Sequence, residues 1–188
     1  MYGRLVRRAL RVLVSPGTWR RWAHLILGGA LLMPYWLAMS VLAQVLAPAP
    51  GDLTVGMIAL LTVAVIVPLL ATAFIPGVRA LEVTAARELL RPDAELTDDA
   101  PPGWRTPGWF AAHLAVGGVI SGISLSLPPF ALVVMALPFG DVETPMGGFR
   151  GGPERWWGLP AGLAMLLALV YLAAAAGAGL ARLAPVLL

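Results

Sequence analysis

The sequence predicts an all-α membrane protein, in which four transmembrane helices form two tandem hairpins of the same orientation after a short N-terminal interfacial helix. Three observations predict this fold class: the composition, four long apolar stretches and a motif that occurs twice. Of the 188 residues, 59% are hydrophobic and only 12% are charged, whereas a soluble domain has roughly 25% charged residues. So few charges cannot cover a soluble surface of this size, but they can flank helices whose outer faces contact lipid.

Four stretches are long enough to cross a bilayer, which takes about 20 mostly apolar residues. None contains an acidic residue within its apolar body. They span about residues 22–46, 53–75, 109–139 and 159–183. The first stretch is longer than the roughly 7–15 apolar residues of a signal peptide, so we predict an uncleaved helix rather than a cleaved signal.

The arginines predict the orientation of the spans. All 13 basic residues are arginines, and only Arg150 and Arg155 lie in the loop between spans three and four. The other 11 fall on one side if both termini are cytoplasmic, which the positive-inside rule favours. We therefore predict a multi-pass protein of the cell membrane with both termini in the cytoplasm. This topology explains the basic pI of about 10.2 better than binding of nucleic acid does.

The chain divides into four segments. They are a basic amphipathic segment (1–21), a first transmembrane hairpin with a cytoplasmic helix extension (22–91), an acidic, proline-rich linker (92–108) and a second hairpin (109–188). The first segment has arginines on one helix side and apolar residues on the other, which is typical of an interfacial helix on anionic lipid. The helix of span two is expected to continue over residues 78–91. The outer loop, about residues 140–158, is either a sensing surface or a plain connector.

A repeated motif predicts that the two hairpins are related. The first copy is Ser15-Pro16-Gly17, Trp19, His24-Leu25 and Gly28-Gly29, and the second is Thr106-Pro107-Gly108, Trp109, His113-Leu114 and Gly117-Gly118. Spans two and four also end alike, at Pro76-Gly77-Val78-Arg79-Ala80-Leu81 and Ala178-Gly179-Leu180-Ala181-Arg182-Leu183. Halves of equal orientation imply a pseudo-two-fold axis along the membrane normal. Chance similarity between helices rich in Ala, Leu and Gly is the alternative.

Small residues predict where the helices pack, because lipid provides no hydrophobic drive between helices and close backbone approach must replace it. Gly118 and Gly122 form a small-xxx-small motif in span three, and Gly177 ends another in span four. Ser121 and Ser124 share the small-residue face of span three. These serines either belong to a packing seam or line a polar pocket.

Candidate functional residues are few. The sequence shows no nucleophile–base pair, phosphate-binding loop or metal-ligand cluster, and without cysteine it excludes disulfides and thiolate sites. We therefore expect no enzymatic activity and no cofactor. His24 and His113 occupy matched positions and would face each other across the pseudo-axis, and histidine titrates near neutral pH. Their alternative role is to hydrogen-bond lipid headgroups or backbone.

Aromatic residues give the remaining candidates. Trp19, Trp22, Trp104 and Trp109 fall at the cytoplasmic ends of spans, and Trp156 and Trp157 at the outer end of span four. Interfacial anchoring explains such positions, and a ligand-binding role for the outer pair is the alternative. Tyr35 and Trp36 are exceptions because they lie in the middle of span one.

Short runs beside the spans form a familiar pattern. They are Thr18-Trp19-Arg20-Arg21 with Leu25-Ile26-Leu27-Gly28, Arg79-Ala80-Leu81-Glu82, Ala85-Ala86-Arg87-Glu88-Leu89-Leu90, Gly103-Trp104-Arg105 and Gly179-Leu180-Ala181-Arg182-Leu183. Over about residues 15–188 the pattern resembles the four-helix membrane sensor domain that begins many actinobacterial two-component histidine kinases and also occurs in stand-alone membrane proteins. His24 and His113 depart from it, because an aromatic or apolar residue is expected there.

The resemblance implies a signal-input module whose span four leads into a dimerisation helix and a kinase core. The sequence ends at Leu188 before any such segment, so we expect an excised input domain or a stand-alone relative without kinase activity. Arg79, Glu82 and Arg182 are the candidate coupling residues, because they lie at the cytoplasmic ends of spans two and four. Expected partners are the lipid bilayer and either a second copy in a homodimer or another membrane or cytoplasmic protein. The alternative function is a small permease-like or scaffold subunit of a transport complex.

Overall fold

The computed structural model describes residues 11–46, 54–90, 104–145 and 147–187. Its helices are α1 (Pro16–Leu46), α2 (Val55–Thr72), α3 (Pro76–Ala85), α4 (Arg105–Ala136) and α5 (Gly158–Leu187), and residues 11–14 form a further helical turn. A π-helical turn (Ala86–Leu90) follows α3, and 3-10 turns lie at Leu137–Phe139 and Pro153–Arg155. Strands β1 (Val142–Thr144) and β2 (Gly147–Phe149) pair antiparallel.

Four helical segments are long and apolar enough to cross a membrane, as the sequence predicted. They are Pro16–Leu46, Val55–Thr72, Arg105–Phe139 and Pro153–Leu187, with mean hydropathies of 1.9 to 2.5 in their most apolar windows. Most of this apolar surface faces outward, and only 6% of the window in α2 is buried. Four apolar helices with exposed faces are characteristic of a multi-pass membrane protein.

Helix α4 is the centre of the structure, because it packs extensively against both α1 and α5. Small residues permit the close approach. An ideal Cβ on Gly162 of α5 would lie 2.6 Å from the carbonyl oxygen of Ala131 in α4, and one on Gly117 of α4 would lie 2.7 Å from that of Leu25 in α1. Helix α2 contacts the other helices sparsely, and Leu61 is its one buried residue.

The predicted continuation of span two is interrupted. The helix breaks after Thr72, Ile75 takes an extended conformation, and Pro76 begins the new helix α3. Proline favours this outcome because it cannot donate within a continuing helix but suits a first turn. The π-helical turn packs against α1 and α5, and Glu82, Val83, Ala86 and Leu90 are buried on one face of the segment formed by α3 and this turn.

The loop between α4 and α5 contains a β-hairpin, which the all-α prediction did not include. The Asp141 carboxylate accepts a 2.8 Å hydrogen bond from the backbone N–H of Gly151, and the Gly152 N–H donates at 2.7 Å to the Leu137 carbonyl. Gly140 and Gly147 have φ values of 143° and 133°, a region that favours glycine. These contacts fix the hairpin to the end of α4.

Two predicted segments lie outside the described residues. Most of the proposed interfacial helix falls on residues 1–10, and most of the acidic linker falls on residues 91–103.

Candidate functional site

Four polar side chains meet where α1, α3 and α4 converge, and we call them the histidine–glutamate cluster: His24, Glu82, Trp109 and His113. All are buried, with 0% of each histidine, 1% of Trp109 and 2% of Glu82 exposed. Buried charged residues are rare in proteins unless they are paired. The cluster therefore combines a matched histidine from each half of the chain with a predicted coupling residue.

The Glu82 carboxylate is held by α4. Its Oε2 atom lies 2.7 Å from His113 Nδ1 and accepts a 3.0 Å hydrogen bond from Trp109 Nε1. Since Trp109 and His113 are one helical turn apart, they lie on the same face of α4. The two side chains together fasten α3 to α4.

His113 also connects α4 to α1. Its Nε2 atom lies 2.9 Å from the backbone carbonyl oxygen of His24. A carbonyl oxygen only accepts, so Nε2 carries a proton. One proton then lies between His113 Nδ1 and Glu82 Oε2, bound to either atom, and the two groups together are formally neutral. One imidazole thus joins three helices.

Glycines at matched positions make room for this arrangement. An ideal Cβ on Gly28 would lie 2.7 Å from the carbonyl oxygen and 2.8 Å from the Nε2 atom of His113, and one on Gly117 would lie 2.9 Å from the Cα of Gly28. The rings of His24 and His113 stack with centroids 4.0 Å apart and an interplanar angle of 3°. The two copies of the repeated motif therefore contact each other.

Three polar atoms of the cluster have no hydrogen-bond partner among the described residues: His24 Nδ1, His24 Nε2 and Glu82 Oε1. Leaving a buried polar group unsatisfied costs about 1–3 kcal/mol. A cavity of about 10 Å³ adjoins Glu82 and Trp109, which is the size of a single water molecule. The cluster can hold a proton between two groups and is sensitive to the spacing of its helices.

The described residues contain no group of three or more His, Asp or Glu side chains placed to hold a metal ion.

The other candidates of span one make separate contacts. The Tyr35 hydroxyl donates a 2.9 Å hydrogen bond to Thr72 Oγ1 and so joins α1 to α2. Trp36 is 57% exposed and lines an apolar groove of about 350 Å³ together with Ser121 and Gly122.

Ser121 and Ser124 bind α1 rather than lining a closed polar pocket. Ser121 Oγ donates to the carbonyl oxygen of Leu25 at 3.3 Å, and Ser124 Oγ accepts from Trp22 Nε1 at 3.0 Å. Both hydrogen bonds cross the contact between α1 and α4. The serines thus support the packing interpretation.

The predicted packing glycines differ from one another. An ideal Cβ on Gly118 would lie 2.6 Å from Leu32 Cδ2, and one on Gly177 would lie 2.6 Å from Arg21 Cβ. One on Gly122 would meet no atom within 4 Å in the described part of the chain. Gly122 therefore closes no contact between the described helices, and it lines the open groove beside Trp36.

The remaining candidates lie away from the cluster, with one exception. Trp156 and Trp157 are 68% and 46% exposed before α5, and Arg182 is exposed near its end. Arg79 lines the small cavity beside Glu82.

Sequence reasoning missed the role of Trp109. The prediction of an interfacial anchor is wrong for this residue, because its ring is 1% exposed and its N–H binds Glu82. The available signal was the four-residue spacing of Trp109 and His113, which places two donors on one helix face.

No family model matches the sequence, and the searches of curated proteins and of solved structures return no match.

Proposed function

We propose that this protein is a membrane-embedded signal-input module without catalytic activity, which passes a stimulus to a cytoplasmic partner through α3. One observation carries the proposal: His113 bonds at once to the α1 backbone and to Glu82 of α3. Any change in the packing of α1 against α4 therefore alters the hydrogen bonds that dock α3 on α4.

A small change in the distance between α1 and α4 is enough to break these contacts. N–H···O hydrogen bonds weaken outside about 2.7–3.2 Å, so a separation of α1 and α4 by about 1 Å breaks the 2.9 Å contact of His113 with α1. A stimulus shifts the equilibrium only if it binds one packing more tightly than the other. The structured outer hairpin and the apolar groove beside Trp36 are surfaces at which a stimulus can make that distinction.

Helix α3 has the form of an output element. One face is buried, whereas Leu81 is 50% exposed and Thr84 and Glu88 are also exposed. The break at Ile75 lets α3 move without unwinding α2. We further propose two hairpins of equal orientation with both chain ends in the cytoplasm, a topology supported by the 11 arginines on that side. The resemblance to kinase sensor domains supports the same assignment.

Thiol labelling tests the coupling, because the chain contains no cysteine of its own. Val83→Cys places a thiol on the docked face of α3, where Val83 is 1% exposed, and Thr84→Cys places one on the exposed face as the control. We expect Glu82→Gln to speed the labelling of the Val83→Cys variant about tenfold or more, because hydrogen bonds to a charged group contribute about 1.5–3 kcal/mol. Glu88→Gln, an exposed change on the same segment, should leave the rate unchanged.

The labelling also tests whether the packing of α1 against α4 affects the docking of α3. Gly117→Ala forces α1 and α4 apart without touching α3, so it should speed labelling at position 83 as well. Equal rates in the parent, Glu82→Gln and Gly117→Ala backgrounds would contradict the proposal. Transport of a solute by the chain alone in liposomes would instead favour the permease-like alternative.

A further inference from the structure

A second feature, independent of the cluster, lies between the start of the described chain and α5. A groove of about 470 Å³ is lined there by Arg11, Ser15, Thr18, Arg21 and Tyr171, with Ala175 at its base. We propose that this groove binds the phosphate of an anionic phospholipid headgroup, and we call it the headgroup groove.

The charge of the groove fits a phosphate diester. Arg11 and Arg21 supply two guanidinium groups, and none of the described residues that line the groove is acidic. Within the described ranges neither arginine forms an ion pair with a carboxylate. Guanidinium groups form paired, charge-assisted hydrogen bonds with phosphate oxygens. The hydroxyls of Ser15 and Tyr171 add neutral partners for the ester and glycerol oxygens.

The backbone around the groove is fixed by specific contacts. Trp19 Nε1 donates a 3.0 Å hydrogen bond to the Leu13 carbonyl, and this bond holds the turn of residues 11–14 against α1. The Thr18 N–H donates to the Ser15 carbonyl at 3.0 Å. Arg21 packs its aliphatic stem on Gly177, where an ideal Cβ would lie 2.6 Å from Arg21 Cβ. These contacts fix the backbone that carries Arg11 and Arg21 at the groove.

The position of the groove along α5 suits a lipid headgroup. From Gly158 to Gly177 the helix advances 19 residues, or about 28 Å, which is close to the roughly 30 Å thickness of a hydrocarbon core. With the Trp156–Trp157 pair at one interface, Gly177 and Arg21 lie at the other. The groove is much larger than one phosphate ion, and its alanines provide an apolar surface for the glycerol and the first acyl carbons.

Titration of the purified protein in a zwitterionic detergent tests the proposal, with short-chain phosphatidylglycerol as the probe and native mass spectrometry as the readout. We expect Arg21→Gln and Arg11→Gln each to weaken binding about tenfold, since each removes a charge-assisted contact. The matched control is Arg20→Gln, which removes the same charge from an exposed neighbour outside the groove, and it should change affinity less than about twofold.

The remaining arms decide between a site and general charge attraction. Phosphatidylcholine of the same chain length should bind more weakly and respond to none of the three substitutions. Equal losses in the Arg20→Gln and Arg21→Gln variants would overturn the proposal. Inorganic phosphate that competes as strongly as the lipid would show a free-phosphate site and overturn the lipid assignment. Thermal unfolding of each variant confirms that the fold persists.

Discussion

Replacing the two matched histidines by leucine should have very unequal effects on stability, although their rings stack. His113→Leu removes the 2.7 Å contact with Glu82 and the 2.9 Å contact with α1. Trp109 then remains as the partner of a buried carboxylate. His24→Leu removes a ring whose two nitrogens have no hydrogen-bond partner in the described structure. The backbone carbonyl at position 24, which accepts from His113, stays in place.

The magnitudes follow from these contacts. Breaking a buried ion pair by removing one partner costs about 3–5 kcal/mol, so His113→Leu should lower the free energy of unfolding by that amount. His24→Leu loses ring stacking of about 0.5–1.5 kcal/mol but relieves unsatisfied buried nitrogens that cost about 1–3 kcal/mol. The two terms nearly cancel, and we expect a change smaller than about 1.5 kcal/mol.

The assay is reversible unfolding of the purified protein in mixed micelles with increasing sodium dodecyl sulfate, followed by far-UV circular dichroism. A Glu82→Leu/His113→Leu double variant completes the cycle. It should recover most of the stability lost in His113→Leu alone, because removing both charged partners leaves no uncompensated carboxylate. Equal losses in His24→Leu and His113→Leu, or no recovery in the double variant, would refute this account of the cluster.

Two further predictions concern packing and topology. Gly117→Ala should destabilise the protein by about 1–3 kcal/mol by overpacking. Gly122→Ala should not, because its Cβ meets nothing within 4 Å in the described structure. Equal unfolding midpoints of the two variants in the same assay would contradict the helix crossing. Positions 88 and 150 are both exposed on the protein, so only the membrane should separate their reactivity. In intact cells a single cysteine at Arg150 should react with a membrane-impermeant maleimide, and one at Glu88 only after permeabilisation. The reverse pattern would refute the cytoplasmic termini. Gly151 is unsuitable for labelling because a Cβ there would clash with the backbone of Gly140.

The four spans could be predicted from the sequence because a bilayer imposes both length and hydropathy on a helix. The pairing of the matched histidines was also accessible, since the repeated motif places each of them four residues before a glycine. The docking of α3 on α4 could not be predicted from the sequence in the same way. Its helix looks amphipathic and cytoplasmic, and an acidic residue such as Glu82 is normally assigned to the solvated face. Only the position of His113 and Trp109 in three dimensions makes its burial favourable.

The β-hairpin between α4 and α5 could not be predicted from the sequence for a different reason. Its strands have three residues each, too few for an alternating pattern to stand out. Its shape depends on glycine φ values and on two hydrogen bonds between residues distant in sequence, which the Gly151 N–H donates to Asp141 and the Gly152 N–H donates to Leu137. None of these leaves a periodic signal in the sequence.

Among the described residues, an acidic side chain docks on α4 at only one of the two matched helix ends, the one that carries Glu82. When the ends of spans two and four are matched through their shared motif, the residue opposite Glu82 is Ala184, which is 0% exposed within the apolar core. His113 therefore has an acidic partner, and His24 has none among the described residues. Glu82 and Ala184, which occupy matched positions in the sequence, therefore differ in chemistry, because Glu82 binds polar side chains of α4 and Ala184 lies among apolar side chains. A partner that binds at α3, as we propose, would distinguish the two matched helix ends by this one side chain.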